Sequence, residues 1–369
     1  MAKRDPNRRE FLMLAKPFEP AKHKIAGYYM SEKLDGGRCF WDGGLTRGVA
    51  TTSVPWASVI NPKTGQPKTK VKPIATGLWS RYGNPIMAPD WFLNTLPACP
   101  LDGELWAGRG NFQKTMSAIK KDEAVDEEWK NIQFGIFGTP NIWAVLRTGE
   151  IKNANFHCHL DEEYIKKWIA NRDPDCLEGY RFLLGEPHFS AELASLSEWI
   201  DTCSDTHFMI KQTKLPANED IAQQLVEETK KEIILAGGEG VFLRAANSVW
   251  QPIRVAECLK CKGELDDEGT LIGYTAGRLT DKGSKHLGKV GALILTYRGQ
   301  RLELSGLQDV EREFSSVEAF EYACEHPGED MPAGTDTKMF RMGDSITFTY
   351  RELSDRGIPK DARYLRKRS

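Results

Sequence analysis

The stretch "YYMSEKLDGGRCFWDG", residues 28–43, places a lysine between two acids and follows it with two glycines and an arginine. Apolar residues on either side of this charged group predict two short strands joined by a tight turn. The simplest interpretation is a charged turn after an exposed strand. The alternative is a nucleophilic lysine, Lys33, in a pocket that handles phosphate groups, and the rest of the chain has to favour one of the two.

Length and composition predict a protein of more than one domain. The chain has 369 residues, 40% of them hydrophobic and 10% aromatic, which is typical of packed cores and not of disordered chains. Basic residues number 50 and acidic residues 52, so a basic coat is excluded but a single basic face is not. Eight cysteines without a regular framework indicate a reduced, intracellular setting. No apolar run reaches the roughly 18 residues that span a membrane.

The pattern of predicted elements divides the chain near Gly263. Up to residue 262, short apolar strands are mixed with stretches of helical spacing, as in 218–236. From residue 263 onward, about five short strands alternate with glycine turns, which favours a small barrel of the OB type. We therefore predict an α+β fold with two domains, 1–262 and 263–369.

Phosphoryl transfer by a lysine requires a defined set of groups. The lysine amine must be neutral to attack, and positive charge nearby favours the neutral amine. Carboxylates are needed to hold a divalent cation, and a flat aromatic ring to hold the nucleotide base. Lysines at positions i and i+2 of a strand share one face, and glycines beside an acid let a ligand approach the backbone. Residues of these types stand at predicted strand ends: Lys33, Glu104, Glu239, Lys260, Lys262, Phe134 and Phe137.

The ordered series KxDGxR, SRxG, DGE, FxIF, EGxxxR and KxK resembles the motifs of covalent nucleotidyltransferases. "SEKLDGGR", "LDGELWAGRGNF" and the tail "ITFTYRELSDRGIPKDARYLRKR" are most similar to ATP-dependent DNA ligases of the small two-domain kind found in bacteria and phages. The resemblance implies an ATP-grasp-like nucleotidyltransferase (adenylation) domain of antiparallel sheets with helices, followed by an OB-fold domain. It also implies ATP and Mg²⁺ (or Mn²⁺) as cofactors, nicked duplex DNA as partner, a monomeric state and a cytoplasmic location.

The resemblance also implies a role for each matching residue. Lys33 would carry AMP, and Asp35 and Arg38 would assist nick closure and contact the nucleotide or phosphate. Glu104 would contact the ribose or the metal, and Glu239 would hold the metal. Further contacts to the nucleotide are expected from Ser31, Glu32, Phe137 (with Phe134 as the alternative ring), Arg254, Lys260 and Lys262, and contacts to the leaving pyrophosphate from Arg366 and Arg368. Two positions depart from the family pattern: Ser31 stands where many relatives have an acid, and Gly138 where an aspartate is usual.

The same resemblance and the charge pattern predict contacts to DNA. Arg81 in "SRYGN" would bind the 5′-phosphate of a nick, and Arg47 is a weaker match. The stretch "NPKTGQPKTKVKP", residues 61–73, has four lysines and no acid, which predicts either a solvated loop or a positive arm on the DNA backbone. Its basic residues are Lys63, Lys68, Lys70 and Lys72. Residues 46–76 and 140–215 match the family least and are interpreted as insertions.

Three alternatives to a DNA ligase remain open at this stage. An RNA ligase and an mRNA-capping guanylyltransferase share KxDGxR, although the long match of "LDGELW" and the residues after it disfavours both. A non-catalytic clamp on duplex DNA is the third, and the intact set of charged residues disfavours it. The nucleotide that the protein accepts, or its failure to accept one, distinguishes these alternatives.

Overall fold

The structure is a computed structural model that describes residues 11–61, 64–141, 185–200, 204–263, 265–277, 286–326, 329–332, 336–350, 352–354 and 356–368. The chain forms two compact units, Met1–Cys261 and Lys262–Ser369. Among the described residues, no helix has the length and apolar character needed to cross a membrane.

The first unit contains ten strands and five helices in its described part. The strands are β1 (Leu14–Pro17), β2 (Tyr29–Glu32), β3 (Gly37–Asp42), β4 (Leu78–Ser80), β5 (Pro100–Trp106), β6 (Gln133–Gly138), β7 (His207–Met209), β8 (Thr213–Lys214), β9 (Gly240–Arg244) and β10 (Arg254–Lys262). The helices are α1 (Asp90–Leu93), α2 (Phe112–Lys120), α3 (Asp126–Trp129), α4 (Phe189–Trp199) and α5 (Glu219–Leu235). The longest, α5, begins at Asn218, whose side chain accepts a hydrogen bond from the Ile221 amide and so caps the first turn.

The strands form two five-stranded sheets with the orders β1-β10-β9-β2-β8 and β4-β3-β5-β6-β7. Most neighbours are antiparallel, but β1 with β10 and β6 with β7 are parallel pairs. The opening stretch of the sequence joins the two sheets, because β2 lies in the first and β3 in the second. Gly36 makes this crossing possible: a Cβ there would lie 2.2 Å from the carbonyl oxygen of Leu105.

Part of the stretch interpreted as an insertion is built into the core. Val54, Trp56 and Ala75 lie in one buried cluster with Phe40 and Trp79 from the second sheet. The Trp56 ring is fully buried and packs 5.8 Å from Phe40 and 5.9 Å from Trp79, centroid to centroid. Residues 46–61 and 64–76 therefore contribute to the core of the first unit, with an exposed segment at 64–67.

The second unit is built on one antiparallel sheet with the order β13-β12-β11-β14-β17. Its elements are β11 (Leu265–Ala276), β12 (Val290–Tyr297), β13 (Gln300–Leu304), α6 (Val317–Glu325), β14 (Ser345–Tyr350), β15 (Glu352–Leu353), β16 (Pro359–Lys360) and β17 (Arg363–Lys367). The outer strands meet at a parallel bridge between Ser305 and Arg363, where the Tyr364 amide donates to the Ser305 carbonyl at 2.8 Å. The predicted α+β class with a small five-stranded OB-type unit is confirmed.

The cysteine pair Cys258 and Cys261 lies on β10 but points to opposite sides. Cys258 packs in the cluster with Trp56 and Cys261 in a separate one with Leu259. A spacing of three on a strand turns side chains to opposite faces, so these thiols do not form a metal site. His157 and His159, which flank Cys158 in the sequence, lie outside the described residues.

We expect Trp56→Ala to lower the free energy of unfolding of the first unit by about 3–5 kcal/mol, because it empties a fully buried ring site. Thr69→Ala, at an exposed position of the same stretch, is the matched control. Urea unfolding followed by circular dichroism measures both. A Trp56→Ala midpoint equal to that of the control would mean that this stretch is dispensable for the core.

Candidate active site

Lys33 follows the last residue of β2, at the start of the crossing between the two sheets. Its backbone amide donates to the Gly240 carbonyl of β9 at 2.9 Å, which fixes the main chain on the neighbouring strand. Its Nζ forms an ion pair with the Glu239 carboxylate. About a quarter of the lysine side chain is exposed, so a substrate can reach the amine. The sequence brings these groups together because β2 and β9 are antiparallel neighbours, with Glu32 opposite Val241.

Glu104 completes the charged cluster from the second sheet. It lies on β5 directly opposite Arg38 on β3 and is partly buried. Burial raises the pKa of Glu104 to about 7, Lys33 and Arg38 act in the opposite direction, and Glu239 raises it further. A carboxyl group with such a pKa, next to a lysine and a second carboxylate, is typical of sites where charge is used chemically.

Arg38 is held by a partner that the sequence did not indicate. Its guanidinium donates to both carboxylate oxygens of Asp102, at 3.0 and 2.6 Å, and to the Met13 carbonyl at 2.8 Å. Both side chains are largely buried, with 16% of Arg38 and 4% of Asp102 exposed. Asp102 belongs to "DGE", where only the glutamate was singled out.

Two aromatic rings face each other next to this cluster. Phe137 on β6 and Phe242 on β9 are nearly parallel, with 6.3 Å between centroids and 21° between planes. The Arg38 guanidinium lies 5.3 Å from the centroid of Phe137. Phe134 is fully buried in the core, so Phe137 is the ring that a ligand can reach. Phe242 is visible in the sequence as the aromatic residue of "GEGVFLR", three positions after Glu239. Its role was missed because the sequence does not show that β9 faces β6.

Several further candidates lie on these strands in less direct positions. Ser31 is buried opposite Phe242. Glu32 accepts two hydrogen bonds at 2.9 Å from Arg109, which sequence reasoning missed. Asp35 is partly buried in the crossing between the sheets.

The basic residues of β10 are arranged as the alternation predicted. Lys260 and Lys262 are both partly buried, while the intervening Cys261 is buried. Arg254, at the start of β10, is exposed and its Nη1 donates to the Ala15 carbonyl of β1. It is therefore tied to the backbone of the neighbouring parallel strand.

The tail residues belong to the second unit. Arg366 and Arg368 are exposed on and just after β17, with Arg366 opposite Thr347. Arg368 forms two hydrogen bonds of 2.7 Å with the carboxylate of Glu268. A ligand that recruits Arg368 has to replace this surface ion pair, which costs little.

Of the residues predicted to contact DNA, some are exposed and others form hydrogen bonds within the protein. Arg81 is exposed and lies over the ring of Tyr82 at 4.8 Å. Arg47 donates to Asp90 and Asn94, and Lys68 to Ser58.

Two other lysines of the basic stretch can be placed. Lys70 is exposed, and the Lys72 amine donates to the Lys121 carbonyl at 2.8 Å at the end of α2. Burial lowers the pKa of Lys72, with Asp122 acting in the opposite direction. Lys63 lies outside the described residues.

Few of the described side chains are placed to ligate a metal ion. Among the described residues, no three His, Cys, Asp or Glu side chains are grouped so as to hold a metal ion. Glu104 and Glu239 provide two carboxylates close enough to affect each other's ionisation. This fits Mg²⁺, which binds through one or two carboxylates and takes its remaining ligands from water and substrate phosphates.

Comparison with known proteins gives one consistent result. The chain is 23% identical over 345 residues to a DNA ligase of Haemophilus influenzae, covering 93% of this chain and 88% of that protein. A solved structure from a structure–function study of Lig E DNA ligases is 22% identical, covers 97% of this chain and 98% of its own, and has a TM-score of 0.57. The chain has the fold of a DNA ligase. The structure named Pmar-Lig_PreS3 is 16% identical with a TM-score of 0.56, covering 97% of this chain and 68% of its own.

No protein-family profile matches the chain. The resemblance to DNA ligases that the motifs predicted is nevertheless confirmed by the curated relative and the Lig E structure. The similarity extends over nearly the whole length of both chains.

The raised pKa of Glu104 predicts a pH-dependent stability. Because the folded state holds this proton more tightly than the unfolded state does, the stabilisation is complete below pH about 4.5 and is lost as pH rises towards about 7. Relative to Glu104→Gln, the parent should lose roughly 2–3 kcal/mol of unfolding free energy across this window. Titrating groups that do not interact with Glu104 cancel in the comparison. Urea titrations at several pH values measure it, with the exposed Glu123→Gln as control. A parent-minus-variant difference that stays constant with pH would contradict the raised pKa.

Proposed function

We propose that this protein is an ATP-dependent DNA ligase that seals nicks with a 5′-phosphate and a 3′-hydroxyl in duplex DNA. The observation that carries the proposal is the Lys33 amine, accessible and ion-paired with Glu239, in a cluster that also includes Glu104 and Arg38. The similarity of nearly the full chain to a DNA ligase supports it.

The first step forms a covalent lysyl-AMP. The Lys33 ammonium loses a proton to solvent and the neutral amine attacks the α-phosphate of ATP; a phosphoramide bond forms, and the bond to pyrophosphate breaks. The reaction is an in-line displacement at phosphorus, so the protein contributes mainly position and charge. Glu239 holds the amine, and Phe137 and Phe242 receive the base. These two rings are nearly parallel, with 6.3 Å between centroids, and present their faces to the base.

Phosphate charge would be neutralised by a metal ion and by basic side chains. Glu104 and Glu239 would hold Mg²⁺ (or Mn²⁺), which when bound neutralises phosphate oxygens. Lys260 and Lys262 on β10 would contact the α-phosphate. Arg366 and Arg368 would contact pyrophosphate, which is present only in the first step.

The later steps transfer AMP to DNA and close the strand. AMP passes to the 5′-phosphate of the nick, and the 3′-hydroxyl then displaces AMP. Asp35 and Arg38 would assist this closure, and Arg254 would contact the nucleotide or the nick. Arg81 and the exposed Lys70 would contact DNA phosphates. We further propose a monomer with an adenylation domain (1–262) and an OB domain (263–369), acting in the cytoplasm.

Lys33→Ala should abolish the AMP adduct and the sealing of an ordinary nick, because it removes the nucleophile. Lys24→Ala, at an exposed position outside the motif, should behave as the parent does. Intact-protein mass after incubation with ATP and Mg²⁺ measures the adduct. An adduct that persists in Lys33→Ala would show that another residue is the nucleophile. In a parallel incubation with GTP, a GMP adduct would instead support a guanylyltransferase, and the absence of any adduct in the parent with either nucleotide would support a non-catalytic clamp.

Arg366→Ala should slow formation of the AMP adduct by about tenfold or more and leave closure of a nick that already carries AMP near the parental rate, because pyrophosphate is absent from the last step. A point substitution is preferable to removing 363–369, since that deletion would also remove β17 from its sheet. Single-turnover rates on the two substrates provide the comparison. Equal losses on both would contradict this division of roles.

A further inference from the structure

A second pair of buried charges lies beside the two stacked rings, outside the cluster around Lys33. Arg244, at the end of β9, donates to Glu192 of α4 through both terminal nitrogens, at 3.0 and 2.9 Å. The side chains are 6% and 0% exposed. The Arg244 Nε donates to Ser248 at 3.1 Å, and the guanidinium lies 4.0 Å from the centroid of Phe189. The pair is fully enclosed and its hydrogen bonds are well satisfied.

This ion pair joins the two strands that present the rings. Arg244 is two residues after Phe242 on β9, and period two places both on one face of that strand. Glu192 accepts a backbone hydrogen bond from Thr139, two residues after Phe137 at the end of β6. β6 and β9 belong to different sheets, so no backbone ladder holds them together. Glu192 therefore contacts one ring-bearing strand directly and the other through Arg244.

Gly138, which lies between Phe137 and Thr139 at the end of β6, has no side chain. A Cβ built on Gly138 would lie 3.2 Å from Arg244 Nη1 and 3.8 Å from Glu192 Oε2. The space beside Gly138 is thus filled by the ion pair, and the carboxylate that neutralises Arg244 comes from α4. Removing one member of a buried pair leaves the other charge uncompensated, and the strands it joins then have to move.

We propose that Glu192, acting through Arg244, is a positioning residue that holds Phe137 and Phe242 in the nearly parallel arrangement that receives a nucleotide base. The inference rests on the proposed function, in which these rings receive the base of ATP. Helix α4 carried no predicted site residue. In this proposal its Glu192 controls how Phe137 and Phe242 are arranged to bind the base. The pair acts on the base and not on the triphosphate, whose contacts lie at Lys33 and on β10.

The test separates base binding from phosphate binding in the full chain. Glu192→Gln keeps the shape and loses the charge, and Glu198→Gln, on the exposed side of the same helix, is the matched control. The ATP concentration for half-maximal AMP-adduct formation should rise about tenfold in Glu192→Gln, with inhibition by inorganic tripolyphosphate changed less than about twofold. Glu198→Gln should match the parent in both measurements.

Two results would overturn the positioning role. One is a parental ATP dependence in Glu192→Gln; the other is an equal weakening of ATP and tripolyphosphate binding, as a general loss of structure would produce. If Glu192→Gln does not fold, Glu192→Asp is tested instead, because it keeps the charge but shortens the side chain. An unchanged ATP dependence in Glu192→Asp overturns the proposal. A weakened ATP dependence with parental inhibition by tripolyphosphate supports it. Failure of the parent itself to form an adduct would refute the proposed function instead.

Discussion

The ion pair between Lys33 and Glu239 is the interaction on which the site depends. It is formed where the chain leaves one sheet for the other, so the amine is held by the first sheet while Glu104 and Arg38 approach it from the second. Gly36 allows this crossing to pass against the Leu105 carbonyl. A nucleophile in such a position is fixed by backbone pairing and by charge, and it remains accessible.

Charges buried in pairs surround that central interaction. Arg38 is neutralised by Asp102 and Arg244 by Glu192, each through two hydrogen bonds in a largely dry environment. Breaking such a pair from one side is costly even where its net contribution to stability is small. We infer that these pairs fix the geometry of the strands around the site, since stability alone does not require buried ions.

The residues that sequence reasoning found share a simple local signal. Glu104 and Glu239 stand beside glycines, and Lys33 lies between a short strand and a glycine pair; these patterns are visible in the chain without knowing which strands are neighbours. Asp102, Phe242 and Glu192 were missed because their importance comes from strand order and from a helix distant in sequence. The core role of Trp56 was missed for a similar reason: residues 46–76 were interpreted as an insertion, although their apolar residues pack in the core.

The most direct test of this account is the sealing of a labelled nicked duplex with a 5′-phosphate by the purified protein in Mg²⁺ with either ATP or GTP. The account predicts a sealed strand and a transient AMP-bearing DNA intermediate with ATP, and neither with GTP. No sealing with ATP, or sealing that proceeds equally with GTP, would contradict it.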